Sequence, residues 1–413
     1  MKLFRRIVSL LLVLLLAISF VACGAGESSN DDAAKAPSSS GGGGGNGGGD
    51  HTVTPPTLDG EFVLGMSAPL TGAAAAYGQA VRNAAQMAVD EINAAGGLYG
   101  ATFKLLVSDD VHSSDNVANI YQMMKEQGLQ VSLGAVTSLP CLEFSALARN
   151  DNLFLLTPSA SSMNIPNGEN AYQMCIGDEV YGRLAAEYVN GMEIDKVGIL
   201  YDAEDSYYSI PLRNQFKDAL SDDIAVVEAA CNSWEYEFSP QIEALSGCDV
   251  VFLPLFYPSA ANFLIHAQDR LSPDVLYLGC DGLDGLAEHL ETQGETVSRT
   301  VCMVYSLDVN ATEGETAEFI GKYIEAYGND TAIAFAALGY DAVYAIYEAM
   351  KTAIDEGNTI STDISASELC EILEAQFQGG FTFSGITGEN ITWDANGFAD
   401  KDPIVVVIDT DRA

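Results

Sequence analysis

Basic residues are scarce in this 413-residue chain: 18 Lys and Arg stand against 58 Asp and Glu, a formal net charge of −40. Three of the 18, Lys2, Arg5 and Arg6, sit at the extreme N-terminus. From residue 23 onward, 15 basic residues therefore face the same 58 acids, or −43. No basic stripe exists to neutralise phosphates, which excludes nucleic acid as a partner. Such a surface favours a soluble monomer and disfavours docking on anionic lipid. Histidine is nearly absent too. His51, His112, His266 and His289 are scattered, and no His-Glu-x-x-His, CxxC pair, P-loop or Gly-x-Ser-x-Gly elbow occurs. The sequence therefore lacks the usual signatures of zinc, phosphoryl-transfer and α/β-hydrolase chemistry. No metal or cofactor is expected, and the chain reads as a binder, not an enzyme.

One long apolar run is present, and it lies at the start. Ile7 to Val21 follows the basic residues and leads to Ala22 and Cys23. At about 15 residues the run is short of the roughly 20 that span a bilayer. It reads as an export signal, residues 1–22, cut before a lipid-accepting Cys23. Phe20 stands where such signals usually carry Leu, so plain secretion and an uncleaved anchor stay open. Residues 23–60 are rich in Gly and Ser and read as a tether. Their reach is about 30–35 Å for a flexible chain of this length. The protein is expected outside the cytoplasm, held at the outer face of the cell membrane.

The remaining residues, about 350, suit two domains. Phe62–Pro69, Phe103–Val107, Val131–Val136 and Leu153–Leu156 read as strands, separated by helical stretches. The first of these helices places Val81, Ala84, Ala85, Ala88, Val89 and Ile92 on one face. The pattern restarts at Lys196 and alternates again to Gly279. Further helices are expected over 316–327 and 338–356, and a late strand over 403–409. This is an α/β class with two doubly wound lobes. Seven cysteines follow Cys23, an odd number, and burial as small hydrophobes suits them as well as bridging.

In parallel α/β sheets ligands gather where strands end and helices begin. Residues at such points include Tyr77, Thr137, Ser138, Ser159, Ala160, Ser161, Tyr207, Tyr208, Phe256 and Asp281. Hydroxyls and helix-start N–H groups suit a carboxylate. A buried Asp suits an ammonium, and aromatics wall off an apolar pocket. The set describes an amino acid with an apolar side chain. Read singly, Ser138 or Asp281 would serve equally well as a helix cap or turn residue. Asp109-Asp110 reads as a strand end and cap more readily than as an acid–base pair.

Tyr77-Gly78, the stretch Asp90-Glu91-Ile92-Asn93-Ala94-Ala95-Gly96-Gly97, Leu156 to Ser161, and Leu278-Gly279-Cys280-Asp281-Gly282 resemble the leucine/isoleucine/valine-binding proteins. These are type I periplasmic-binding proteins of ABC importers, and the likeness runs from about Glu61 to the end. It implies a carboxylate site at Ser138 and Ser159, Ala160 and Ser161, and an ammonium acceptor at Asp281. It also implies a closing tyrosine at Tyr208 and a side-chain pocket of Tyr77, Val136, Phe256 and Phe335. A disulfide seen in some members would fall on His112 and Thr137 here, so it is absent. The implied lobes are 61–179 with 307–377 and 180–306 with 378–413, joined by three crossings near 179, 306 and 378. An ABC permease is the implied partner. A sensor of the same fold, feeding a signalling partner or taking another small molecule such as an aromatic acid or amide, is the alternative.

Overall fold

A computed structural model describes residues 56–232, 235–328, 332–408 and 410. The expected signal, Cys23 and most of the tether lie outside the described residues. The ordered part opens with β1 (Glu61–Ala68), α1 (Ala75–Ala94), β2 (Thr102–Asp109), α2 (Val117–Glu126), β3 (Val131–Ala135), α3 (Ser138–Asp151), β4 (Leu155–Thr157) and β5 (Ala171–Gln173). These strands form one parallel sheet in the order β2-β1-β3-β4-β5. Helices cover both faces, so β1 is buried along most of its length. The helical face expected over residues 81–92 of α1 is the buried one.

The second series is α4 (Asp178–Asn190), β6 (Lys196–Asp202), α5 (Ser209–Ala219), β7 (Ala225–Cys231), α6 (Ser239–Ala244), β8 (Val250–Leu253), α7 (Tyr257–Ala267), β9 (Leu276–Gly279), α8 (Leu286–Gln293) and β10 (Val301–Tyr305). The chain then runs through α9 (Gly314–Tyr327), α10 (Ile333–Asp355), α11 (Ala366–Gln378), the hairpin β11 (Phe383–Gly385) and β12 (Gly388–Ile391), and β13 (Ile404–Ile408). The second sheet has the order β13-β10-β9-β8-β6-β7. It is parallel except for β13, which runs against β10. The two-lobed α/β class expected of the sequence is the class observed.

Chain passages between the sheets fall at 174–177, after Tyr305, and ahead of Ile404. The last lies well beyond the expected 378. The intervening segment stays on β5: Trp393 Nε1 donates to the Gln173 carbonyl at 2.7 Å, and Gln173 N donates to the Gly397 carbonyl at 3.0 Å. Helix α10 packs along α1 and begins at Ile333, five residues before the expected start. Ile333 to Leu338 is buried throughout, so no polar face marks its first turn.

Among the described residues Cys141, Cys175, Cys231, Cys248, Cys280, Cys302 and Cys370 are all buried and unbridged. No helix there is long and apolar enough to cross a membrane.

Candidate functional site

Except for Phe335, each sequence-derived site residue sits at a strand-to-helix junction. Tyr77 lies in the first turn of α1, Ser138 opens α3, and Ser159, Ala160 and Ser161 follow β4. Tyr208 precedes α5, Phe256 precedes α7, Asp281 follows β9, and Phe335 lies in the first turn of α10. All are buried or nearly so. The exception is the alternative tyrosine, Tyr207, which is 42% exposed while Tyr208 is 4% exposed. Asp205 sets this difference by accepting the N–H groups of Tyr207, Tyr208 and Ser209, a turn that drives Tyr208 inward.

The aromatic residues form one wall. Tyr77 stacks on Phe335 with centroids 4.4 Å apart and meets Phe256 edge-on at 5.6 Å, while Tyr208 lies 5.0 Å from Phe256. The Tyr77 hydroxyl donates to the Gly282 carbonyl at 2.6 Å and accepts from Tyr257 N at 3.2 Å. Residues borne by the two sheets are thus in direct contact. Asp284 adds to this. Its carboxylate accepts the N–H groups of Ala334 at 2.9 Å and Phe335 at 3.1 Å, at the start of α10. Burial pushes its pKa up to about 8.

The anion end is made of main chain more than hydroxyls. Ser159 Oγ donates to the Val136 carbonyl at 2.7 Å, and Ser138 Oγ accepts from Ser162 N at 3.2 Å. The Gln173 amide clamps the turn by donating to the carbonyls of Ala160 at 2.7 Å and Ser162 at 2.9 Å. Within that clamp the N–H groups of Ser159 and Ser161 donate to no protein acceptor among the described residues. Two N–H groups without a protein acceptor on a turn suit a carboxylate.

Another polar group of the set is acidic. Asp281 is buried, and Tyr208 donates its hydroxyl to Asp281 Oδ1 at 2.8 Å. Burial pushes the Asp281 carboxyl up to about 7, although hydrogen bonds to its charged form oppose the shift.

Sequence reasoning missed Asp178, the first residue of α4. It is 1% exposed, and neither carboxyl oxygen has a hydrogen-bond partner. The Ser161 side chain is its one neighbour favouring the charged form, short of full hydrogen-bond alignment. Burial first, and then the charge of Asp281, push its pKa well above the usual range. The hydroxyls of Tyr181 and Tyr305, facing the same acidic region, are also buried without partners. The signal available in the sequence was an Asp directly after a Gly at a strand-to-helix junction, which also reads as a helix start.

Asp109 and Asp110 do not act as a pair. Asp109 accepts Leu70 N, Val111 N and the Thr71 hydroxyl, while Asp110 accepts the Ser67 hydroxyl and His112 N. Both tie a strand end to its loop. His112 Nδ1 lies 2.9 Å from Thr137 Oγ1, so a hydrogen bond joins these two positions. No cluster of three or more His, Cys, Asp or Glu able to hold a metal occurs among the described residues. Two surface hollows of about 580 and 490 Å³ share no residue with this set. The convergent groups lie elsewhere.

A family model described as "Periplasmic binding protein" matches residues 61–413. The chain belongs to the periplasmic binding protein family. Members of that family are substrate-binding proteins of ABC-type transporters, not enzymes, and act outside the cytoplasm. Among relatives, the Leu/Ile/Val-binding protein BraC3 of Rhizobium johnstonii is 28% identical over 235 residues. The match covers 55% of this chain and 63% of that protein, so the chain spans less than two thirds of that relative's length. Among solved structures, the branched-chain amino acid transporter substrate-binding protein LivJ of Streptococcus pneumoniae, in complex with isoleucine, superposes with a TM-score of 0.73 at 22% identity. It covers 84% of this chain and 96% of its own. A Rhodopseudomonas palustris solute-binding protein in complex with benzoate superposes with a TM-score of 0.69 at 16% identity, covering 83% and 92%. These likenesses show a shared periplasmic-binding-protein fold.

Proposed function

We propose that this chain is the substrate-binding lipoprotein of an ABC importer, and that it captures an apolar amino acid, branched-chain in the first instance, between two lobes. The carrying observation is the set of groups at these strand ends: N–H groups of Ser159 and Ser161 without a protein acceptor among the described residues, the buried Asp281 with Tyr208, and the aromatic wall that Tyr208 joins. A zwitterion fits that set, and Tyr77, Val136, Phe256 and Phe335 offer its side chain no charge. Closure of the lobes places the ligand in contact with both, so binding favours the closed form. In this reading one lobe comprises 61–179 with 307–377 and the segment up to about residue 403 that packs on β5, and the other comprises 180–306 with the C-terminal strand β13. Cys23 carries the lipid, the tether holds the monomer near its permease, and the closed form is what the permease recognises.

The relative named for Leu, Ile and Val supports this ligand class. The benzoate-binding neighbour favours a second reading, an aromatic acid. Against it, an acid without an amine leaves Asp281 buried and unpaired, which is costly. Calorimetry against the twenty amino acids and benzoate decides. Leucine-type ligands bind and Asp281→Ala abolishes the heat. Binding of benzoate alone, or unchanged leucine binding in Asp281→Ala, overturns the amino-acid assignment.

A further inference from the structure

The third passage between the sheets is anchored on both sides of a very short span. Ahead of it the chain is tied to the first sheet: Gln173 N donates to the Gly397 carbonyl at 3.0 Å, and Asp400 N donates to the Thr392 carbonyl at 2.8 Å. From Ile404 onward it belongs to the second sheet, where Ile404 pairs with Tyr305 and the ladder runs on to Ile408 and Val301. Only Asp402 and Pro403 lie between Lys401 and that ladder. Asp402 N donates to no acceptor among the described residues, and Pro403 has no N–H. Pro403 also locks its own φ and holds Asp402 extended. Few torsions are therefore free to bend there.

Lys401 closes the first-sheet side of that span. Its Nζ donates to Thr387 Oγ1 at 2.5 Å, and the same hydroxyl donates on to Asp341 Oδ2 at 2.6 Å. Asp341 is 1% exposed and also accepts Ile386 N at 2.9 Å and Thr387 N at 2.7 Å. Helix α10 and the turn between β11 and β12 thus grip Lys401 through one hydroxyl. Burial of the ammonium pulls its pKa down to about 8, with Asp341 and then the Cys175 thiol opposing the shift. Cys175 belongs to the first passage, and the two passages run side by side: a Cβ added at Gly177 would lie 3.6 Å from Phe398 Cδ1. Asp341 has three donors without the lysine, so the ammonium is not there to rescue a buried acid. Enclosing an ammonium is costly unless directed bonds offset it. An apolar side chain would fill the space but slide as the lobes turn, whereas a charged hydrogen bond fixes length and direction.

We propose that Lys401 is a positioning residue for lobe closure: its ammonium, held through Thr387 on Asp341, pins the third passage to the first lobe and confines bending to Asp402 and Pro403. This rests on the closure reading above and gives it an axis. Hinges are a few residues that absorb the change in backbone angles, and here the pin sets where those residues begin. With the pin in place the lobes turn about one short span beside the first passage, and Tyr77 meets Gly282 in the same register at each closure. Without it, slack spreads back towards Asp400, and the lobes meet in several registers.

The test reads the distance between lobes with spin labels at Glu126→Cys, which ends α2, and Asp222→Cys, ahead of β7. Both positions are exposed, and the seven cysteines after Cys23 are buried. Pulsed electron–electron resonance gives the distance distribution without ligand and with leucine, and a melting curve for each variant confirms folding. Lys401→Met keeps the stem and drops the charge, Thr387→Val drops the hydroxyl, and Pro403→Gly frees the span itself. Each is expected to broaden the ligand-free distribution about twofold and to speed leucine dissociation at least about threefold. Joining Lys401→Met to Thr387→Val adds nothing beyond either alone, because both break one relay. An unchanged distribution in Lys401→Met and Thr387→Val, whatever their melting temperatures, marks a purely structural contact and overturns the proposal. Additive broadening in the double variant overturns it too, as does an unchanged distribution in Pro403→Gly. Where Lys401→Met does not fold, Thr387→Val and Pro403→Gly decide by the same readings. Leucine that leaves the wild-type distance unmoved counts against the ligand class alone, since the ligand-free distributions judge the pin without it.

Discussion

The Asp284 clasp makes a prediction that depends on pH in an unusual direction. Asp284 follows β9, and the helix it caps, α10, packs along α1. Its two bonds therefore join groups carried by different sheets. Its pKa of about 8 means that burial opposes the charge more than the two N–H bonds favour it. Below that pH the group clasps α10 as a neutral acceptor, a role that the carbonyl of Asn keeps. At pH 6 Asp284→Asn should therefore release ligand within about threefold of wild type. At pH 9 the wild-type carboxyl ionises in place, and each pH unit of displaced protonation costs the closed arrangement about 1.4 kcal/mol. The wild type should then release ligand at least about tenfold faster than at pH 6, while the variant stays unchanged. Stopped-flow dissociation at the two pH values measures this. The same pH response in both proteins, or none in the wild type, refutes the assignment of Asp284 as a buried clasp between the lobes.

Two further outcomes follow from buried groups. Asp110, Asp281 and Asp284 have pKa values raised to about 6, 7 and 8 by burial. Groups raised above their unfolded values contribute stability that is full below about pH 4 and is lost as pH climbs through 6–8. Denaturant midpoints without ligand should therefore fall between pH 5 and pH 8.5, and a flat profile would contradict the burial of these acids. Gly78 approaches the β1–α1 loop so closely that an added Cβ would lie 2.1 Å from the Pro69 carbonyl oxygen. Gly78→Ala should cost about 1–3 kcal/mol and displace the adjacent Tyr77, lowering both melting temperature and affinity; a variant matching wild type in both would show that the loop yields freely.

The strand and helix alternation was legible because each strand is an apolar run closed by small or acidic residues, and each early helix has one apolar face. Legibility failed where burial is complete. The first turn of α10 shows no period because all its sides are covered, and its cap, Asp284, comes from about fifty residues earlier in the chain. The late third passage was hidden for a related reason: Trp393 anchors to a β5 carbonyl, and no local pattern announces a main-chain acceptor. At the site, Tyr77, Tyr208, Phe256 and Asp281 were visible as types at strand ends, and Phe335 only through the family resemblance. Asp178 was not, because a helix-starting Asp looks the same whether solvent or a ligand satisfies it. The difference lies in burial, which residue order does not carry.

The seven buried cysteines give this protein a particular relation to the redox state of its surroundings. Burial pushes the thiols of Cys141 and Cys302 up to about 11 and those of Cys231 and Cys370 up to about 12. Almost none of each is thiolate at neutral pH, and the thiolate is the reactive form. In the first lobe His112 and Thr137 are joined by a hydrogen bond. The described fold therefore needs no oxidant to mature, and adding or removing a reductant should leave its shape unchanged. The described fold should therefore be the same in airless and in aerated surroundings.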